Sequence, residues 1–282
     1  MHLPNSIAVR KMNNMARTDA CADVLVLCYH AVDETWPAEL SVTPQAFERQ
    51  LDVLVERGYE TVTFREAVFA PRKSRTVAIT FDDAFRSVKE QAFPRLAERG
   101  FVGTVFVPTS FVDRGEPASW DGVAQWLGTE HEQQLLPLTQ AELLELAGAG
   151  WEIGSHTCTH PHLTQLRDDE LARELVESRR RCAELLGHPC TTLAYPYGDV
   201  DERVRRSAER AGYEAAGSLP ARFDRPTPLD WPRVGIWHED GDRTFALKVS
   251  PKLRRLRRSP LWTALDAARL RAVRPRKSWA SG

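Results

Sequence analysis

Four junctions in this chain repeat one pattern: Arg57-Gly58-Tyr59, Arg99-Gly100-Phe101, Ala149-Gly150-Trp151 and Ala211-Gly212-Tyr213. Each places a glycine and then an aromatic residue ahead of a β-rich run. The glycine suits the left-handed position that ends a helix, and the aromatic opens the next strand against a layer of helices. Helix start signals match: Thr43-Pro44 precedes Phe47, Leu51 and Leu54, and Thr139-Gln140-Ala141-Glu142 has the capping-box pattern. Helices and strands therefore alternate through residue 218, which demands a mainly parallel sheet with helices outside. Closed into a barrel, such a sheet carries its active-site loops at the C-terminal ends of the strands. The longer connection 108–138, with Trp120 and Trp126, falls at that end, where insertions shape a pocket or pack on the barrel as a small helix.

A chain of 282 residues with 42% hydrophobic and 27% charged residues has the length and make-up of one α/β barrel. The expected division is an N-terminal extension over 1–22, one catalytic domain over 23–247, and a basic tail with an amphipathic helix over 248–282. The net charge of -1 gives no global attraction to nucleic acid. No run reaches the roughly 20 apolar residues of a membrane span. The early run Val24-Leu25-Val26-Leu27-Cys28 is too short for a signal segment and reads as the first strand. Five cysteines, without Cys-x-x-Cys spacing, suggest neither a disulfide framework nor a cysteine zinc cluster, and a reducing, cytoplasmic location is expected.

Chemistry concentrates in two segments. Thr80-Phe81-Asp82-Asp83 follows the apolar run Thr76-Val77-Ala78-Ile79, and His156-Thr157-Cys158-Thr159-His160 follows Trp151-Glu152-Ile153-Gly154. A divalent metal with an open position for water can be held by one carboxylate and two imidazoles, and a free carboxylate beside it can act as base. Neighbouring aspartates converge on one site only where the chain leaves a strand. Taken singly, Asp-Asp is also a solvated turn or helix cap, and His-x-x-x-His is also a chance spacing. Cys158 is either an extra soft ligand or a small buried filler.

With these pieces placed, residues 23–240 resemble the polysaccharide deacetylases, the carbohydrate esterase group with the NodB homology domain. Leu27-Cys28-Tyr29-His30 is similar to that family's first strand, Thr80-Phe81-Asp82-Asp83 to its aspartate motif, His156-Thr157-Cys158-Thr159-His160 to its histidine motif, and Ala194-Tyr195-Pro196-Tyr197-Gly198 to its third motif. The resemblance implies a distorted parallel (β/α) barrel and metal-dependent removal of acetyl from an N-acetylated sugar or polysaccharide precursor. It also implies that Asp83, His156 and His160 bind Zn2+, or Co, Ni or Fe in its place, with Asp82 as general base. Pro196 and Tyr197 would form the oxyanion side, through the Tyr197 backbone N–H.

Two departures stand out. Many members have an arginine where this chain has Ala194. Arg233 is the candidate replacement, with a structural salt bridge as its other reading. The family's acid histidine is matched loosely by Ile236-Trp237-His238, so His238 is the candidate acid, with a surface histidine as the alternative. His30 ends the first strand and reads as a substrate contact, a second candidate acid, or a histidine bonded in the barrel rim. His162 is read as shaping its loop beside Pro161.

From Lys248 onward eleven basic residues face one acidic residue, Asp266, with Leu261, Trp262, Leu265 and Leu270 interleaved. This composition fits peripheral contact with an anionic membrane at its inner face, or a solvated tail packed on the barrel. Two further functions use the same residues: hydrolysis of a non-sugar or cyclic amide, and a catalytically silent carbohydrate-binding protein.

Overall fold

The computed structural model describes residues 23–70, 75–220, 226–252 and 254. The expected N-terminal extension, and the basic tail apart from residues 248–252 and 254, including its expected amphipathic helix, lie outside the described residues. The chain begins with β1 (Asp23–Tyr29), the short β2 (Ala31–Val32) and β3 (Ser41–Val42), and α1 (Pro44–Glu56). Next come β4 (Glu60–Val62), α2 (Phe64–Phe69), β5 (Arg75–Phe81), α3 (Phe93–Ala97) and β6 (Thr104–Val107). After the long connection follow α4 (Gln140–Gly148), β7 (Glu152–Ser155), α5 (Asp168–Leu186), β8 (Thr192–Ala194), α6 (Glu202–Ala211) and β9 (Ala215–Ser218). The described chain closes with β10 (Trp231–Pro232), β11 (Val234–Gly235) and α7 (Asp242–Lys248).

Local chemistry sets these boundaries. The Thr43 side chain accepts from the Ala46 N–H with Pro44 in the first turn, and Thr63 and Thr139 form capping boxes with Glu66 and Glu142. Helix α1 buries Phe47, Leu51 and Leu54, one stripe at helical spacing. The four junction glycines all take positive φ, from 64° at Gly100 to 91° at Gly212, as the turns between helix and strand require.

Every pairing in the main sheet is parallel, and its order is β9, β8, β7, β6, β5, β1. Strand β5 carries β4 on the first half of one edge and β6 on the second half, opposite an unbroken register with β1. One segment closes the ring: Trp231 and Pro232 pair with β9, while Val234 and Gly235 pair with β1. Between them the Arg233 N–H donates to the Ser218 carbonyl at 3.0 Å. The result is the distorted parallel (β/α) barrel that the alternation demands.

Side chains sort by strand parity. Leu25, Leu27, Val77, Ile79 and Phe81 pack against helices, whereas Val26, Ala78, Phe106, Ala194 and Ala215 belong to a separate cluster inside the barrel. A third cluster joins Trp36 in the loop after β2 and Phe85 after β5 to Phe111, Trp120 and Leu135 of the long connection. The described cysteines, Cys28, Cys158, Cys182 and Cys190, are free and buried.

Among the described residues, the largest charged side chain below 2% exposure is Arg233, at 1%. Space for it comes from Gly217, where a Cβ would lie 2.6 Å from the arginine Nε and 2.7 Å from its Cδ. Register places Gly217 beside Ala194, the position of the missing motif arginine. We therefore expect Gly217→Ala to push the guanidinium out of place and to destabilise the fold by about 1–3 kcal/mol, the usual cost of overpacking. Urea denaturation checks this, and an unchanged midpoint would contradict the close approach.

Candidate active site

Asp82 and Asp83 sit where β5 ends. The Asp82 N–H still donates to the Tyr29 carbonyl at 2.9 Å, as a strand residue would, while Asp83 turns to φ 68° and Ala84 to φ 52°. This sharp exit lets two adjacent carboxylates face the same space. Across the barrel mouth, His156 continues from β7 with its N–H on the Val107 carbonyl at 2.8 Å. Thr157 and His160 both adopt left-handed backbone, at φ 66° and 61°. Glu174 on α5 pins the intervening loop, accepting from the N–H groups of Cys158 at 2.8 Å and Thr159 at 3.0 Å. The Cys158 thiol turns to the Glu174 carbonyl at 3.6 Å, so Cys158 fills space and is no ligand.

Asp83, His156 and His160 bring one donor atom each to within 4.8 Å of one another, and all three are buried. Asp83 Oδ1 lies 3.5 Å from His156 Nε2 and 3.3 Å from His160 Nε2, yet it accepts no well-aligned hydrogen bond. A buried anionic oxygen facing two imidazole nitrogens at that spacing is what a divalent cation fills, so the donor set fits a metal. His156 Nδ1 bonds the Ala194 carbonyl at 2.8 Å, which leaves Nε2 free to ligate.

Asp82 has a different environment. Arg233 Nη1 donates to its Oδ1 at 2.6 Å and Arg233 Nη2 to its Oδ2 at 2.8 Å, a bidentate pair. The Cys28 thiol also donates toward Oδ2, at 3.4 Å. Burial by itself raises the Asp82 pKa, but the Arg233 guanidinium and then His156 outweigh it and bring the carboxyl down to about 2. Asp83 is likewise held below the usual carboxylate range: burial opposes ionisation, and His156 and His160 outweigh it. Cys28, His30 and Asp82 form a second close trio, but both Asp82 oxygens already face Arg233, whose charge opposes a cation there.

Asp82, Asp83, His156 and His160 form the floor of a cavity of about 420 Å3, whose walls include His30, Trp120, Trp126, Tyr197, Leu219 and Trp237. His30 stacks on Trp237 at 5.3 Å, and its buried Nδ1 has no partner. Burial lowers its pKa, although Asp83 and Asp82 partly offset that. Tyr197, at φ 59° with Pro196 buried before it, sends its hydroxyl to the Asp121 carbonyl at 3.0 Å. His238 stands elsewhere. It is exposed, its Nδ1 lies 3.0 Å from the Ser41 carbonyl, and it is absent from the cavity walls. Strand β11 ends at Gly235, and His238 lies in the turn that follows, with its N–H on the Glu39 carbonyl at 2.7 Å. Neither Trp237 nor Trp120 lies in a strand, so alternation gives no sequence signal for either.

The sequence profile of the polysaccharide deacetylase family matches residues 70–216. YxkH of Bacillus subtilis is 26% identical over 203 residues, which are 70% of this chain and 65% of that protein. The chain thus spans just under two thirds of that relative's length. A Staphylococcus aureus poly-β-1,6-N-acetyl-D-glucosamine N-deacetylase is 25% identical over 211 residues, 70% of this chain and 68% of its own. The crystal structure of a Bacillus cereus polysaccharide deacetylase matches with a TM-score of 0.65 at 26% identity, covering 80% of this chain and 69% of that one.

The Asp82 pair predicts a reversal of acid sensitivity. Its folded pKa of about 2 lies below the 3.8 of a free aspartate, so its stabilisation is complete above about pH 4 and is lost as the pH falls toward 2. Arg233→Met leaves a buried, unpaired carboxylate, which costs about 3–5 kcal/mol at neutral pH. Burial then raises the Asp82 pKa, so the variant should recover stability between pH 7 and pH 5 where the parent does not. Denaturation at both pH values tests this, and an equal deficit at each would contradict it.

Proposed function

The chain belongs to the polysaccharide deacetylase family, and we propose from that premise that it is a metal-dependent hydrolase removing acetyl groups from N-acetylated amino sugar units of a polysaccharide or its precursor. The observation that carries this reading is the pairing, at one cavity floor, of a buried Asp-His-His donor set with a second carboxylate held ionised by a buried arginine. Similarity to the Staphylococcus aureus N-deacetylase supports N-acetylglucosamine chains as the substrate class.

Asp83, His156 and His160 would hold the ion, with zinc as the first choice and cobalt, nickel or iron as the others. A divalent ion there supplies a lowered pKa for water and polarises the acetamide carbonyl. Asp82 accepts the proton of the attacking water, and Arg233 keeps that carboxylate charged and fixed in the meantime. Attack forms a C–O bond and places negative charge on the former carbonyl oxygen. The Tyr197 N–H is the donor assigned to it, worth about 3–4 kcal/mol in comparable acyl-transfer sites. The C–N bond then breaks, acetate leaves, and the amine takes a proton. His30 is the candidate acid for that step, because its side chain lines the cavity and His238 does not.

A silent carbohydrate-binding role leaves the cost of burying Asp82, Asp83 and Arg233 together without a purpose. Peripheral membrane contact through 248–282 and a cytoplasmic location belong to the same proposal and rest on composition alone. Deleting residues 255–282 is expected to weaken partition onto anionic vesicles without loss of hydrolysis.

Zinc-loaded protein is expected to release acetate from N-acetylglucosamine oligomers. Asp82→Asn should lower kcat by about 10²–10⁴-fold with zinc still bound, and His156→Ala should lose both zinc and activity. No acetate from any acetamido sugar, with one metal bound per chain, would overturn the sugar assignment.

A further inference from the structure

The two imidazoles of the candidate metal centre are held by different forces. His156 has the usual arrangement, with one ring nitrogen bonded to the Ala194 carbonyl and the other left to ligate. His160 has no such bond, since its Nδ1 is buried and unpartnered. Its backbone is left-handed at φ 61°, which an L-residue adopts only when its surroundings impose it. Its Nε2 faces Asp83 at 3.3 Å and its ring meets that of His156 edge-on at 4.7 Å, and on the remaining sides it is held by two further aromatic contacts. The Trp120 indole stacks on it at 4.5 Å with an interplanar angle of 25°, and Tyr197 meets it edge-on at 4.6 Å and 70°.

Both halves of this clamp come from one peptide step in the long connection. Trp120 supplies the stack, and the Asp121 carbonyl accepts the Tyr197 hydroxyl at 3.0 Å. Trp120 is itself wedged against Phe111 at 5.0 Å and Phe85 at 6.2 Å, and is 8% exposed. The far side of Tyr197 is covered by His162, stacked at 3.8 Å and 13°.

We propose that Trp120 is a positioning residue for His160, replacing by stacking the hydrogen bond that orients His156, and so sets the affinity of the site for its divalent ion. This rests on the reading of Asp83, His156 and His160 as metal ligands. Stacking suits the task because an imidazole that donates its lone pair to a cation becomes electron-poor, and an indole face attracts such a ring more strongly than a neutral one. Trp120 thus favours the loaded site over the empty one.

The test is zinc affinity, measured by chelator competition on the full chain after stripping and reloading, beside thermal midpoints of the metal-free protein. Trp120→Leu should raise the zinc Kd by about 10–100-fold, the size of effect seen when ligand-orienting partners are removed. Trp120→Phe, which keeps a ring to stack, should raise it by less than about 5-fold and also serves if the leucine variant fails to fold. Bound Co2+ should quench tryptophan fluorescence in the parent, and Trp120→Phe should lose the largest part of that quenching. A leucine variant that binds zinc as tightly as the parent, or a phenylalanine variant with undiminished quenching, would overturn the proposal. A parent chain that takes up no zinc would overturn the metal reading together with it, so the two failures are distinguishable.

Discussion

The ion pair between Arg233 and Asp82 sits where the barrel closes, and much of the site depends on it. Both side chains are withdrawn from solvent, at 0% and 2% exposure. Burying two charges is repaid only when geometry is close to ideal and the remaining donors are used. Here the guanidinium grips both carboxylate oxygens through Nη1 and Nη2, and Nη1 also reaches Thr80 Oγ1 at 3.2 Å, whose own hydroxyl donates to the Leu27 carbonyl at 2.7 Å, while the buried Nε has no partner. The pair links β5 to the divided closing strand, so the base is anchored to the seam of the barrel. The same contact explains why Gly217 carries no side chain.

Around that anchor the backbone is locally strained. Asp83, Ala84, Thr157, His160 and Tyr197 all have φ between 52° and 68° without being glycine. Each such residue costs on the order of 1–3 kcal/mol and persists only where packing enforces it. The enforcing groups are visible: Glu174 under the histidine loop, Thr157 Oγ1 accepting the His160 N–H at 3.1 Å, and the aromatic stack around Tyr197. Strain in this protein is therefore concentrated at the mouth, where adjacent residues must be turned toward one point against the alternation of a strand.

The repeating parts were legible in the sequence because they obey local rules. Glycine followed by an aromatic marked the four turns from helix to strand, and Thr139 with Glu142 marked a helix start, since each depends on a few neighbouring residues. Asp82, Asp83, His156 and His160 were readable as a group because two strand ends in a parallel barrel point the same way. The rest depended on distance in space. Whether Arg233 reached Asp82, 151 residues away, required the seam to close with that residue facing inward. His238 follows the end of β11 in a turn and Trp120 comes from the long connection, so strand alternation orients neither side chain.

Anomalous diffraction from crystals of the full chain grown with zinc tests the metal centre and its neighbouring ion pair together. One peak per chain is expected, roughly 2.0–2.2 Å from an Asp83 oxygen and from one nitrogen each of His156 and His160, with Arg233 still bidentate on Asp82. A peak on Cys28, His30 and Asp82 instead, or Arg233 displaced from Asp82 by the ion, would contradict this assignment.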